Sequence, residues 1–350
     1  MLAGIRVIDL TSHLAGPYCT WLLGRLGADV VKVERPGGDP ARDIGPHVDG
    51  ESLYFASLNR NKRSIVLDLK TPADRDMFQH LVRGADVLVE NLRPGALARL
   101  GFDDAALAKL NAGLVHASIS GFGQDGPLAA RPAFDVIAQG MGGLMSVTGP
   151  EGGDPVRVGI SIGDLGAALF ATIDVLAALL ARERGAEAHR VDVAMLDCQL
   201  ALLENAVART LNAGETPRPL GTRHPSVAPF QAFAAADGMM VIAADGDAAW
   251  ARLCRVRGFE GLANDGRFAT GAGRVASHGD LEAQLTAIFL TRPRDDWLAE
   301  LEAADIACGP VNNVAEALTQ PQVAARRMVS EVARNDGSVL RFAAAKKVLI

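Results

Sequence analysis

The chain has 350 residues, 49% hydrophobic and 22% charged, with a net charge of −6. It is too apolar to be disordered, and an acidic chain without a polybasic block excludes nucleic acid or an anionic membrane as the main partner. Its length exceeds one typical core, so a large domain with a smaller one is expected.

No apolar run of about eighteen residues is free of charge; the nearest contains Asp174. The N-terminal MLAGIRVIDL is too short and polar for a signal peptide and reads directly as a strand. Cys19, Cys198, Cys254 and Cys308 lie far apart with no paired spacing. They read as reduced thiols of a cytoplasmic protein, neither a zinc site nor a disulfide framework. The seven histidines show no HxH or HExxH spacing, so no metal is expected.

Residues 4–9 predict a strand, 14–26 a helix and 28–34 a second strand. Such a βαβ unit implies a parallel sheet with a ligand site near the strands' C-terminal ends. The first turn reads LTSHLAGP and lacks GxGxxG, which argues against a nicotinamide dinucleotide. A strand at 64–69, a helix at 72–83 and strands at 86–90 and 114–119 continue the alternation, with short Gly/Pro loops, to about residue 197.

In the stretch Pro155–Gly185, alternating Val156, Val158 and Ile160 suit a strand. Leu165, Leu169, Ile173, Leu176 and Leu180 then recur at helical spacing among alanines, which predicts a helix buried nearly all round. A strand follows at 190–195, a helix at 198–213 and a Pro-rich linker at 214–229. A hairpin is expected over 230–244 around Ala236-Asp237-Gly238. Helices at 247–256, 279–291, 294–304 and 322–328, with a loop at 307–312, make a second, more helical domain. Residues 338–350 return to strand-like sequence and rejoin the first domain. The expected division is 1–197 large domain, 198–223 linker, 224–317 small domain, 318–330 linker and 331–350 a return to the large domain.

Asp164 sits where the turn meets the long helix. The helix dipole and free N–H groups there favour an ionised carboxylate, an anionic oxygen nucleophile at the helix mouth. Capping that helix is the alternative role, and the two are compatible. No GxSxG elbow and no recognisable cysteine nucleophile competes with it. Arg35, Lys62, Arg63, Lys70 and Arg99 fall at strand ends or in loops, as phosphate ligands or as solvated surface. His13, in the first turn, and His224, in the linker, are further polar candidates.

Several stretches carry a resemblance: GIRVIDLTSHLAGPYCTWLLGRLGADVVKVERPGGDPAR, NRNKRSIVLDLKT, VLVENLRPGALARLGF, ISGFGQDGP, FDVIAQGMGGLMSVTG, VGISIGDLGAALFATIDVLAALLARERG, VDVAMLD and ACGPVNNVAEALTQPQVAARRM. Together they resemble the class III CoA-transferases, the CaiB/BaiF family, which includes formyl-CoA transferase, carnitine CoA-transferase and α-methylacyl-CoA racemase. The resemblance spans residues 4 to about 343. It implies an α/β fold with a Rossmann-like large domain and a smaller α+β domain, assembled as an interlocked homodimer. Members run some tens of residues further, which implies a shortened tail here.

The family's catalytic aspartate stands in the segment matching SIGDLG and so maps onto Asp164. Its CoA contacts map onto His13, Ala15, Arg35, Leu67, Lys70, Asn91, Leu92 and Arg99. The implied activity moves CoA from an acyl-CoA thioester to a carboxylic acid, through an aspartyl–acyl anhydride and an aspartyl-CoA thioester. Coenzyme A enters as substrate, and no metal or permanent cofactor is implied. Backbone N–H groups at the helix start and in Gly-rich turns would stabilise each oxyanion.

Two departures bear on specificity. Phe134 replaces the histidine that racemases carry there, and it cannot shuttle a proton. Leu14 replaces a glutamine of formyl-CoA transferase, and that enzyme's glycine-rich loop is missing, which disfavours oxalate and formate. A short dicarboxylic donor is expected, its second carboxylate met by His13, Arg60 or Arg223. An acyl-CoA racemase or isomerase, and a catalytically silent CoA-binding homologue, remain as alternatives.

Overall fold

The computed structural model describes residues 1–186, 190–334 and 337–344. The chain forms two compact units: 1–147, 156–217 and 326–350 make the first, 148–155 and 218–325 the second. The first unit therefore runs past the expected boundary at residue 197 and releases a short segment, 148–155, to the second.

The first unit is built on a parallel sheet. Its strands are β1 (Arg6–Leu10), β2 (Asp29–Glu34), β5 (Arg63–Val66), β6 (Val87–Glu90), β7 (Val115–Ser120) and β8 (Arg190–Ala194). A short antiparallel ladder, β3 (His47–Val48) with β4 (Glu51–Ser52), lies outside it. The order across the sheet is β5-β2-β1-β6-β7-β8. The chain winds outward from β1 to β5, then crosses back to β6 and winds the other way. The strands therefore diverge between β1 and β6, where open α/β sheets bind ligands at their C-terminal edge.

β6 and β7 are buried along their whole length, as a sheet covered on both faces requires. Alternating side chains divide between two cores. Val7, Val30, Val87 and Val115 pack with Leu23 and Cys19 of α1 (Ala15–Arg25) and with Ala167, Ala171 and Val175 of α7 (Ile162–Glu183). Ile8, Val33 and Leu88 face Phe78 and Val82 of α3 (Pro72–Arg83) and Leu107 of α5 (Asp104–Leu110).

α7 is long and apolar enough to cross a membrane by length and composition. In the fold it packs against α1, α6 (Asp135–Met141), α8 (Met195–Leu202), β7 and β8. It is not buried all round: Leu169, Ile173 and Leu180 are 49%, 60% and 52% exposed and form one apolar stripe. Periodicity correctly gave the helix, but its core face is made mainly of the small residues Gly163, Gly166, Ala167 and Ala171 with Val175 and Leu179, while Leu169, Ile173 and Leu180 point away from it.

Residues 155–160 form no strand among the described residues. The N–H of Val158 donates to the side-chain oxygen of Gln139 at 2.9 Å, a bond to a helix side chain in place of a ladder. The expected helix over 198–213 is two, α8 and α9 (Glu204–Ala213).

The second unit carries a three-stranded antiparallel sheet of β9 (Phe230–Ala234), β10 (Met239–Ala243) and β11 (Ala307–Pro310). β9 and β10 form the expected hairpin, whereas β11 replaces an expected loop by pairing with β10. The helices α10 (Gly246–Leu253), α12 (His278–Phe289) and α13 (Arg294–Ala303) surround a core of Trp250, Phe259, Phe289 and Trp297. In the first unit, β12 (Val329–Ala333) pairs with β13 (Val339–Ala343). The rest of the expected C-terminal strand, 345–350, lies outside the described residues.

Candidate active site

A cleft of about 320 Å³ opens at the strand divergence of the first unit. Among its lining residues are His13, Ala15, Asn91, Leu92, Phe134 and Asp164. Five of the nine residues expected at the site thus converge there. Their convergence follows from topology: His13 lies in the turn after β1 and Ala15 opens α1, the next two follow β6, and Asp164 lies in the first turn of α7.

Arg35, Leu67 and Lys70 follow β2 and β5 at the same C-terminal edge of the sheet, and Arg99 closes α4 (Ala96–Arg99) after β6. The side chains of Arg35, Lys70 and Arg99 are exposed. Leu67 is buried in the α3-facing core and its N–H donates to Glu34 O at 2.8 Å. It can therefore offer a ligand only its main-chain carbonyl.

Arg35, Leu67, Lys70 and Arg99 do not line the cleft, and neither do the other expected basic residues. The Lys62 ammonium is buried and donates to Asp9, Asn59 and Pro17 O, each at 2.9 Å. Arg63 opens β5 at the opposite end and pairs with Asp29 at 2.6 Å. Arg60 lies over the rings of Trp21 and Phe342 and donates to Ala343 O at 2.7 Å. Arg223 belongs to the second unit and pairs with Glu151. His224, in that unit, has its ring beside Phe230, 5.3 Å between centroids. The cleft's own guanidinium groups are Arg93 and Arg131, neither of which has an ion pair among the described residues.

Asp164 does not cap α7. Ser161 holds the N-cap position and Asp164 lies within the first turn. The N–H of Gly163 is taken by Asp135, which accepts it at 2.8 Å. Asp135 also accepts from Gln139 at 2.9 Å and from Arg157 Nε at 3.0 Å, while Arg157 Nη2 reaches Ser161 Oγ at 3.0 Å. The helix mouth is thus already occupied by a buried carboxylate, which removes the Gly163 N–H as an oxyanion donor. A Cβ on residue 163 would lie 3.0 Å from Asp135 Oδ1, so glycine admits this close approach.

The consequence for Asp164 is electrostatic. Burial, then the negative charge of Asp135, push its carboxyl up to about 7 against the smaller opposing effect of Arg157. Desolvation thus works against the ready ionisation expected of a carboxylate at the helix start. Tyr54, on α2 (Leu53–Asn59), is pushed up to about 12 by burial and by Asp164, Asp39 and Asp135, so its phenol stays a donor. Phe134 is 65% exposed and meets the His13 ring edge-on, with centroids 6.2 Å apart.

Sequence reasoning missed Asp135, Gln139, Arg157 and Tyr54. Asp135 and Gln139 stand one helical turn apart in FDVIAQ, the sole local cue to a shared network.

Comparison with known proteins agrees with this architecture. Residues 2–348 match the family model described as CoA-transferase family III. The chain is 45% identical over 328 residues to the acetyl-CoA:oxalate CoA-transferase of Acetobacter aceti, covering 93% of this chain and 84% of that protein. It is 39% identical to the succinate–glutarate CoA-transferase of Agrobacterium fabrum, covering 97% and 87%. A CaiB/BaiF family protein from Brucella suis superposes with a TM-score of 0.85 at 36% identity, covering 99% of this chain and 96% of that one. The chain belongs to CoA-transferase family III.

Proposed function

We propose that the protein is a CoA-transferase that moves CoA from an acyl-CoA to a second carboxylic acid, with Asp164 as the covalent nucleophile. The observation that carries the reading is Asp164 itself. It is a carboxylate in a cleft at the strand divergence, with no hydrogen-bond partner among the described residues and a basicity raised by burial. A poorly solvated carboxylate of raised basicity is a better nucleophile than one in water.

The Asp164 carboxylate attacks the thioester carbonyl and the C–S bond breaks. An aspartyl–acyl anhydride and CoA thiolate result. The thiolate attacks the aspartyl carbonyl, releasing the donor acid and leaving CoA as a thioester on Asp164. The acceptor carboxylate attacks that thioester, and the freed thiolate then attacks the acceptor carbonyl, giving the new acyl-CoA and restoring Asp164. His13, Ala15, Asn91 and Leu92 would face the thioester end of the substrate. Arg35, Lys70 and Arg99 would meet phosphates, and Leu67 the CoA through its carbonyl.

Dicarboxylic substrates fit best. Arg93 and Arg131 line the cleft with Asp164 and replace Arg60 and Arg223 as partners for a distal carboxylate. Two relatives are named for oxalate and for succinate and glutarate, so oxalate is tested alongside the longer diacids. Phe134 offers no atom for proton transfer, which weighs against a racemase. An interlocked homodimer follows from the family resemblance, and the exposed Leu169, Ile173 and Leu180 suit a face covered by a second copy.

The test is steady-state transfer from acetyl-CoA and succinyl-CoA to C2–C5 dicarboxylates, with wild type, Asp164→Ala and Arg131→Ala. Turnover with a dicarboxylate that Asp164→Ala abolishes, and that Arg131→Ala weakens through the acceptor KM, supports the proposal. Undiminished turnover in Asp164→Ala overturns it.

A further inference from the structure

The turn after β1 is held by side chains from β2 and from the loops that follow β2 and β6. Lys32, on β2, donates to Thr11 O at 2.8 Å. Asn91 clamps Ser12 at both ends, accepting its N–H at 2.9 Å and donating to its carbonyl at 2.8 Å. Asp39 accepts the N–H of His13 at 3.3 Å and that of Ala41 at 2.9 Å. Lys32 and Asp39 are joined to each other at 2.8 Å, with both side chains 1% exposed. His13 carries φ 63°, a left-handed conformation uncommon for a side-chain-bearing residue.

We infer that the buried Lys32–Asp39 pair, with Asn91, is a positioning device that locks His13 in its left-handed turn and so presents the His13 ring and the start of α1 to the cleft of Asp164. The inference rests on the transferase reading only for what the turn faces; the holding of the turn is a property of the fold. A buried ion pair is a poor source of stability, because apolar replacements of similar shape are often as stable. Here, however, each charge also ends on the turn: the ammonium on Thr11 O, the carboxylate on the His13 N–H. Left-handed His13 reverses the chain between β1 and α1, so the N–H groups of Ala15 and Gly16 open the helix at the cleft without intrahelical partners. Gly16 fits this reversal closely, since a Cβ there would lie 2.4 Å from the Thr11 side chain. Asn91, expected as a CoA contact, has its carbonyl oxygen and one N–H engaged by Ser12, which leaves it chiefly a clamp.

The experiment compares Asp39→Asn, which keeps an oxygen for the His13 N–H, with the double variant Lys32→Met and Asp39→Ala, which removes both charges together. Each is assayed for kcat and KM, for CoA affinity by calorimetry and for melting temperature, and the double variant is crystallised. In the double variant kcat should fall about a hundred-fold, the loss typical of misplaced catalytic geometry, with CoA affinity within a few-fold of wild type. Asp39→Asn should recover most of that rate. In the crystal, His13 should leave the left-handed region. An unchanged kcat in a folded double variant, an equal loss in Asp39→Asn, or His13 still left-handed in the crystal overturns the inference. Absence of turnover in wild type would instead count against the transferase reading, and the crystal structure would still decide whether the pair holds the turn.

Discussion

The raised basicity of Asp164 makes the rate of covalent capture depend on pH in a range where an ordinary aspartate would be fully ionised. With the carboxyl at about 7, roughly a tenth is ionised at pH 6 and about nine-tenths at pH 8. Pre-steady-state release of CoA from an acyl-CoA donor should thus be about ten-fold slower at pH 6 than at pH 8. An unperturbed aspartate would give no change over that interval. The neighbours set the direction of further shifts. Arg157→Gln removes the stabilising cation that also holds Asp135, and should move the midpoint up. Asp135→Asn removes the like charge and should move it down, though not to the ordinary range, because burial is the larger cause. Stopped-flow detection of free thiol at a series of pH values reads all three midpoints. A flat wild-type profile from pH 5.5 to 8, or midpoints in the reverse order, would refute the reasoning.

Two predictions concern stability. Asp164 binds its proton more tightly folded than unfolded, so its effect on stability is least unfavourable near pH 4 and worsens as pH rises to about 7. The shift corresponds to ~4 kcal/mol. Asp164→Asn should therefore melt higher than wild type at pH 8 and nearly equal to it at pH 4; equal melting at both contradicts this. Lys62→Met strands the fully buried Asp9, whose carboxylate, despite burial, is held below the usual range by Lys62, Lys32 and Thr11. Urea unfolding at pH 7 should show a loss of ~3–5 kcal/mol, largely restored by adding Asp9→Asn; a single variant as stable as wild type would show the pair to be dispensable.

The βαβ opening was legible because residues 6–34 satisfy local rules: apolar strands, a helix between them and short turns. Asp164 could be picked out because it stands where a Gly-rich turn meets an apolar helix. Its electrostatic setting could not, since Asp135 and Arg157 join it only when α6 packs on α7. The exposed stripe of α7 was hidden for a related reason: helical spacing of leucines shows that they share a face, not which face the core takes. The four-residue strand β11 depends on a partner far off in sequence. Alternation at 156–160 misled because the Val158 N–H is bonded to Gln139. Lys62 looked like a phosphate ligand because nothing local reveals that its ammonium is enclosed by Asp9, Asn59 and Pro17 O.

The claim on which the account turns is that CoA becomes covalently attached to Asp164. Intact-protein mass spectrometry after incubation with acyl-CoA donors, with and without hydroxylamine, measures this directly on wild type and Asp164→Ala. A donor-dependent mass increase of one CoA less one water is expected on wild type. Peptide mapping should place it at Asp164, with hydroxylamine removing it and Asp164→Ala lacking it. A protein that binds CoA, turns over and never carries the adduct, or carries it equally in Asp164→Ala, would contradict it.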